Sequence, residues 1–208
     1  ILDHCIKNNT SLIYASSASV YGNIQKERNI SKIKISDPVS PLSPYGWSKY
    51  LFDYFVNNLE NKNINVQGLR LFNVYGLGEE NKGDQQSVFG KFKKQAIKLK
   101  KIEIFENSNQ IKRDFIWVGD VCMIIEKMLN TTNKKIWNIG TGVAKSFMDI
   151  ANMYANIYNS KIKNIIMPEN LKGQYQYYTC SDNENLKKII GEHKFKTIEE
   201  YINDEKKH

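Results

Sequence analysis

Cysteine is scarce in this 208-residue chain: Cys5, Cys122 and Cys180 stand isolated, without metal-ligand spacing. An odd, isolated count argues against a disulfide framework or a metal site and points to a reducing, cytoplasmic setting. No apolar run approaches the ~20 residues a spanning helix needs, and no signal peptide is visible, so no membrane partner is expected. Neither Gly-x-Gly-x-x-Gly nor Gly-x-x-Gly-x-x-Gly occurs, which excludes the usual glycine cradle for a pyrophosphate. An initiator Met is also missing. The chain opens Ile1-Leu2-Asp3-His4-Cys5, in what reads as the tail of a helix, and the expectation is that a front part lies outside it.

Negative charge is the scarcer sign, with 30 Lys and Arg against 22 Asp and Glu and a formal charge of +8. Lys91, Lys93, Lys94, Lys98, Lys100 and Lys101 form the obvious basic cluster. They accompany Val88, Phe92, Ala96 and Leu99, an i, i+4, i+8, i+11 apolar stripe, so they describe the solvated side of an amphipathic helix. No nucleic-acid partner is expected.

Leu12-Ile13-Tyr14-Ala15 is a short apolar run ending in Ser16-Ser17, which suits a buried parallel strand whose carboxyl end reaches a ligand crevice. Val66 to Phe72 reads as a second strand running into Asn73-Val74-Tyr75-Gly76. Between them, behind Pro41 and Pro44, lies Tyr45-Gly-Trp-Ser-Lys49. Further on the spacing predicts a helix over 88–99, strands over 102–105 and 115–118, and a helix N-capped by Asp120 and reaching Leu129. Ser146-Phe-Met-Asp149 has capping-box spacing. The loop from Gly22 to Ser43 is polar and long, and is expected to cover the substrate. The class is α/β.

These pieces assemble a hydroxyl-oxidising centre. A phenol ordinarily ionises near pH ~10, so a tyrosine acting as a base near neutrality needs a cation beside it. Lys49, four residues on, shares a helix face with Tyr45 and can also reach the ribose of a dinucleotide. Ser17 can hold the reacting alcohol while Tyr45 takes its proton and a nicotinamide takes the hydride. Taken alone, Tyr-x-x-x-Lys also fits a half-buried ring under a solvated lysine.

Ser-Ser-Ala-Ser-Val-Tyr-Gly (16–22), Pro-Tyr-Gly-Trp-Ser-Lys (44–49), Leu-Arg-Leu-Phe-Asn-Val-Tyr-Gly (69–76) and Arg-Asp-Phe-Ile-Trp-Val-Gly-Asp-Val (113–121) together resemble the extended short-chain dehydrogenase/reductase superfamily of nucleotide-sugar enzymes. Within it, Lys82-Gly83, Phe105-Glu106-Asn107-Ser108, Lys112-Arg113-Asp114-Phe115, Asn138-Ile-Gly-Thr-Gly142 and Leu171-Lys-Gly-Gln-Tyr-Gln176 are similar to the ADP-glycero-manno-heptose 6-epimerases. That resemblance implies a partial Rossmann-like, doubly wound parallel sheet (1–71, 117–143 and 180–197) interleaved with a smaller α/β substrate domain (72–116, 144–179 and 198–208). It implies tightly bound NADP, an ADP-heptose substrate for lipopolysaccharide inner-core synthesis, a Gram-negative cytoplasm and a homo-oligomer, a homopentamer in the family.

The resemblance assigns Ser17, Tyr45 and Lys82 to catalysis, Tyr45 and Lys82 serving opposite faces of the epimerised carbon. Lys49 and the backbone of Val74 would meet the cofactor. Asn73, Asp84, Lys91, Phe105, Glu106, Asn107, Ser108, Arg113 and Tyr175 would meet the substrate, with Arg113 gripping the diphosphate and Phe105 stacking on the base. From the residues alone, Asn73 is equally a strand-ending turn residue, Phe105 a core aromatic and Arg113 a partner of Asp114 or Asp120. Two features depart from the family: Asp84-Gln85-Gln86 replaces a small, hydroxyl-bearing stretch, and Lys91 stands where a histidine is usual. A 4,6-dehydratase would want an Asp-Glu pair where Ala18-Ser19 stand. The remaining alternatives are a UDP-hexose 4-epimerase and a non-catalytic remnant.

Overall fold

A computed structural model of the chain describes residues 1–59, 64–131, 135–173 and 175–206; Gln174 and the side chain of Asp84 lie outside the described residues. The elements in order are α1 (Leu2–Lys7), β1 (Leu12–Ser17), α2 (Ile24–Arg28), α3 (Pro44–Asn57), β2 (Val66–Leu71), β3 (Asn73–Tyr75), α4 (Val88–Leu99), β4 (Lys101–Phe105), β5 (Lys112–Trp117), α5 (Val118–Leu129), β6 (Lys135–Ile139), β7 (Ala144–Ser146), α6 (Phe147–Tyr158), β8 (Lys161–Ile165), α7 (Glu169–Lys172), α8 (Glu184–Ile190) and α9 (Ile198–Glu205). This is the expected α/β class with a parallel sheet and helices. No described helix is long and apolar enough to cross a membrane, and all three cysteines are free.

The first sheet runs β1-β2-β6, all parallel. Its register sets Ser17 opposite Leu71 and Leu71 opposite Ile139, so three carboxyl ends finish level. β2 then passes through Phe72, whose N–H donates to the Ile139 carbonyl at 3.0 Å, into β3. There the chain enters a second sheet, β3-β5-β7, in which Asn73 pairs with Phe115 and Val74 with Ile116. β4 and β8 form a parallel pair.

Two large clusters hold the molecule. Leu69, Ile116, Ile124, Met128, Ile139 and Leu186 pack between the first sheet, α5 and α8. Tyr75, Phe89, Ile102, Phe115, Tyr154 and Tyr201 pack among α4, α6, α9 and the strands beside them. Ser43 caps α3 by accepting the Gly46 N–H at 3.1 Å, with Pro44 in the first turn, the position where a missing N–H costs nothing. The expected capping box of Ser146 and Asp149 opens α6.

Several expectations need correction. α5 starts at Val118, directly from β5 after Trp117, so Asp120 is not its N-cap. Its carboxylate instead faces His193 Nε2 at 2.8 Å and accepts the Lys196 N–H at 3.0 Å. Leu99 of the α4 stripe is exposed; Phe89 takes its place in the core beside Phe92 and Ala96. The 22–43 segment is not one open loop, since it contains α2 and joins Ile33 to Ser181 by a β-bridge.

The Asn138-Ile-Gly-Thr-Gly142 segment has a physical reason. The Asp114 carboxylate, fully buried, accepts hydrogen bonds from the N–H and hydroxyl of Thr141, the N–H of Gly142, and the N–H and hydroxyl of Ser181, all between 2.7 and 2.9 Å. A Cβ at Gly140 would lie 2.6 Å from Asp114 Oδ2 and 2.5 Å from Ser181 Oγ. Gly140→Ala is therefore expected to cost about 1–3 kcal/mol, read by denaturant unfolding; an unchanged midpoint would mean that this clamp yields.

Candidate functional site

β1 delivers Ser17 half-buried at its carboxyl end, where the side chain caps the following 3-10 turn, Ala18–Tyr21. Its Oγ accepts the Ser19 N–H at 3.2 Å, which leaves the hydroxyl proton to be donated elsewhere. Tyr45 stands in the first turn of α3 with 57% of its surface exposed. One turn later the Lys49 ammonium lies 5.6 Å from the centre of the Tyr45 ring and donates to the Ala15 carbonyl at 3.0 Å. The first turn of α3 packs tightly on the segment after Ser17: a Cβ at Gly46 would sit 3.0 Å from the Ser19 carbonyl oxygen. The Lys49 ammonium thus reaches β1 two residues before Ser17, and the first turn of α3 packs on the segment just after it.

A second group forms around Arg113. The side chain is buried, 5% exposed, and no carboxylate pairs with it among the described residues. Its guanidinium donates to the Lys112 carbonyl at 3.0 Å and to the Gln176 carbonyl. It lies 5.3 Å from the Tyr175 ring and 5.6 Å from that of Phe147. Burial pulls the group down to about 10, with Tyr175 opposing, so it stays cationic at neutral pH. Neither Asp114 nor Asp120 is its partner, which removes the ion-pair alternative. A buried cation without a counter-charge is costly, and an anionic ligand would relieve that cost.

Phe105 meets Tyr175 edge-on at 6.3 Å, and Tyr175 meets Tyr177 at 6.2 Å. Past Phe105 the chain turns tightly. Asn107 takes a left-handed conformation (φ 61°), and Ser108 folds back so that its N–H and hydroxyl both reach the Phe105 carbonyl. Glu106, Asn107, Ile166, Lys172 and Tyr177 border a cleft of about 210 Å³. A larger cleft, about 530 Å³, lies beside β6 and α8 and contains none of the expected residues.

Gln176 joins the two groups. While its carbonyl accepts from Arg113, its side-chain amide donates to the carbonyls of Ala18 at 3.3 Å and Gly22 at 2.8 Å. Asn23 adds bonds to the Tyr175 carbonyl and from the Tyr177 N–H. The buried guanidinium is thereby stitched to the segment that follows Ser17.

Other expected residues stand apart from this arrangement. Lys82 is 55% exposed at its side chain and pairs with Glu79 at 3.2 Å; no hydrogen bond or ion pair among the described residues joins it to Ser17, Tyr45 or Lys49. Lys91, half-buried on α4, borders a cleft of about 420 Å³ with Gly83 and Lys94. Asn73 is exposed and Val74 half-buried where β2 passes into β3. The expectations overlooked Asp53, the one carboxylate of α3, which is fully buried and bonded to Tyr14, Ser16 and Arg70. Its signal was available: a lone acid within the run Tyr50-Leu-Phe-Asp-Tyr-Phe-Val56.

Residues 1–140 match the NAD dependent epimerase/dehydratase family. Among solved structures, the ADP-L-glycero-D-manno-heptose-6-epimerase of Helicobacter pylori is 27% identical with a TM-score of 0.85; the match covers 98% of this chain and 61% of that one. The UDP-N-acetylglucosamine 4-epimerase of Methanobrevibacter ruminantium (21% identity, TM-score 0.81, 97% of this chain and 65% of that) has the same fold. So does the dTDP-glucose 4,6-dehydratase of Bacillus anthracis (19% identity, TM-score 0.82, 99% and 64%). The chain therefore spans about three fifths of the length of these structures.

Proposed function

This chain belongs to the NAD dependent epimerase/dehydratase family, and from that premise we propose that the complete protein is a nucleotide-sugar epimerase inverting C6 of the heptose in an ADP-glycero-manno-heptose. The observation that carries the reading is the buried, carboxylate-free Arg113 held through Gln176 against the segment after Ser17. It supplies a diphosphate grip beside a hydroxyl-oxidising centre.

Ser17, Tyr45 and Lys49 fit a nicotinamide dinucleotide, since the donor set offers a hydroxyl, a phenol and a nearby ammonium at a strand end, where sheets of this kind bind ligands. When bound, that group accepts and returns a hydride; NADP is the form the resemblance favours. The chain's own residues do the rest. Ser17 donates its hydroxyl proton to the oxygen of the reacting alcohol and holds it, and Tyr45 takes that alcohol's proton and later gives it back. Lys49, whose ammonium lies beside the Tyr45 ring, would hold the ribose of that group. Lys82 serves the opposite face of the carbon, for which it leaves Glu79. Arg113 fixes the diphosphate, and Phe105 and Tyr175 flank the base, with Glu106, Asn107 and Ser108 shaping its turn. Asn73, Asp84 and Lys91 contact the sugar, and the Val74 backbone the cofactor. Two interleaved domains and assembly as a homo-oligomer belong to the same reading.

Calorimetry with ADP-ribose tests the grip. A charge-assisted hydrogen bond contributes about 1.5–3 kcal/mol, so Arg113→Met is expected to weaken binding roughly ten- to a hundredfold. In turnover of an ADP-sugar the same change is expected to raise KM far more than it lowers kcat. Equal binding by both proteins would remove Arg113 from the site.

A further inference from the structure

Asp53 lies one helical turn beyond Lys49 and two beyond Tyr45 on α3. Its Oδ1 accepts from the Tyr14 hydroxyl at 2.9 Å; its Oδ2 accepts from Ser16 Oγ at 3.0 Å and from Arg70 Nε at 2.8 Å. Lys49 meanwhile donates to the carbonyl of Ala15. Three consecutive residues of β1 therefore grip α3 immediately before that strand delivers Ser17. Arg70 extends the network: it donates to the Tyr21 hydroxyl at 2.8 Å, Tyr21 donates to Asn138 Oδ1 at 2.7 Å, and Asn138 donates to the Ile33 carbonyl at 2.9 Å. Tyr21 closes the 3-10 turn that Ser17 opens. Burial holds the Tyr14 and Tyr21 phenols above their ordinary range, with Asp53 adding to the effect, so both remain donors.

Stability alone does not account for this arrangement, because a buried ion pair seldom outperforms well-packed apolar residues of the same volume. Directional bonds do supply something apolar contacts lack, a fixed height and rotation of one element against another. We infer that Asp53 is a positioning residue: by gripping β1 through Tyr14 and Ser16 and β2 through Arg70, it sets where α3 presents Tyr45 and Lys49 to Ser17. The catalytic consequence rests on the proposed function; the structural consequence does not. Misplacement of a reacting group by about 1 Å can cost ~10²-fold in rate.

The test removes both charges while keeping the volume, Asp53→Leu with Arg70→Met, in a protein whose thermal midpoint stays near that of the parent. Two readouts follow. Acetylation of Lys49 relative to exposed Lys98, read by mass spectrometry, is expected to rise at least about threefold as α3 loses its register. In the complete protein, kcat for the nucleotide sugar is expected to fall about tenfold or more while KM stays within about twofold, on the same misplacement argument. If the double variant does not fold, Tyr14→Phe with Ser16→Ala unhooks α3 from β1 while leaving the Asp53–Arg70 pair whole, and the same readouts apply. A folded variant with parental Lys49 reactivity overturns the inference, as does raised reactivity with parental kcat. A complete protein that turns over no nucleotide sugar defeats the functional reading instead, and the Lys49 readout still decides the positioning role.

Discussion

Tyr45→Phe in the complete protein is expected to lower epimerisation by at least about 10²-fold, the usual loss when a positioned acid–base group is removed. The ring keeps its place in the first turn of α3, because that turn is fixed by the Ser43 cap and by the contact of Gly46 with Ser19. On the proposed roles binding should change little, since the phenol oxygen would handle a proton and Arg113 would grip the diphosphate. Lys82→Ala is expected to cause a loss of similar size if that lysine serves the second face, and the two changes together should leave almost no activity. Single-turnover rates separate these effects from product release. A Tyr45→Phe protein with near-parental kcat would remove Tyr45 from the chemistry.

Arg70→Ala is expected to destabilise the fold by about 3–5 kcal/mol, because it strands a buried carboxylate. Asp53 is fully buried, and the side chains of the pair expose only 1% and 6% of their surface. Truncation also leaves the Tyr21 hydroxyl without its donor. Urea unfolding checks the figure, and a cost below about 1 kcal/mol would show that water or a rearranged side chain replaces the guanidinium. Arg70→Met paired with Asp53→Leu should recover most of the loss, which distinguishes the stranded charge from the lost packing.

Local pattern carried much of the architecture. Leu12 to Ser17 reads as a strand from its apolar run and serine end, and α4 spans the anticipated 88–99. Motif spacing put Tyr45 and Lys49 on one helix face, where the ammonium lies 5.6 Å from the ring centre, and the structure brings Phe105, Tyr175 and Arg113 into one cluster. What escaped was set by long-range pairing. Asp120 looks like a helix cap because an acid precedes an apolar periodicity, yet its partners His193 and Lys196 lie 73 and 76 positions away. Asp53 and Asp114 likewise satisfy their carboxylates with groups 17 to 67 positions distant. Leu99 fits the α4 stripe by spacing and is left uncovered by the fold, since periodicity names a face without saying how far the neighbouring elements extend over it.

One measurement addresses both the reaction and the substrate. The complete protein is offered ADP-, UDP-, GDP- and dTDP-sugars in parallel, with the configuration at C6 of an ADP-glycero-manno-heptose followed by NMR. The expected result is inversion at C6 of the ADP-heptose with little turnover of the other sugars. Conversion of UDP-galactose with the ADP-heptose left unchanged would contradict it, assigning the Ser17, Tyr45 and Lys49 centre to a hexose 4-epimerase.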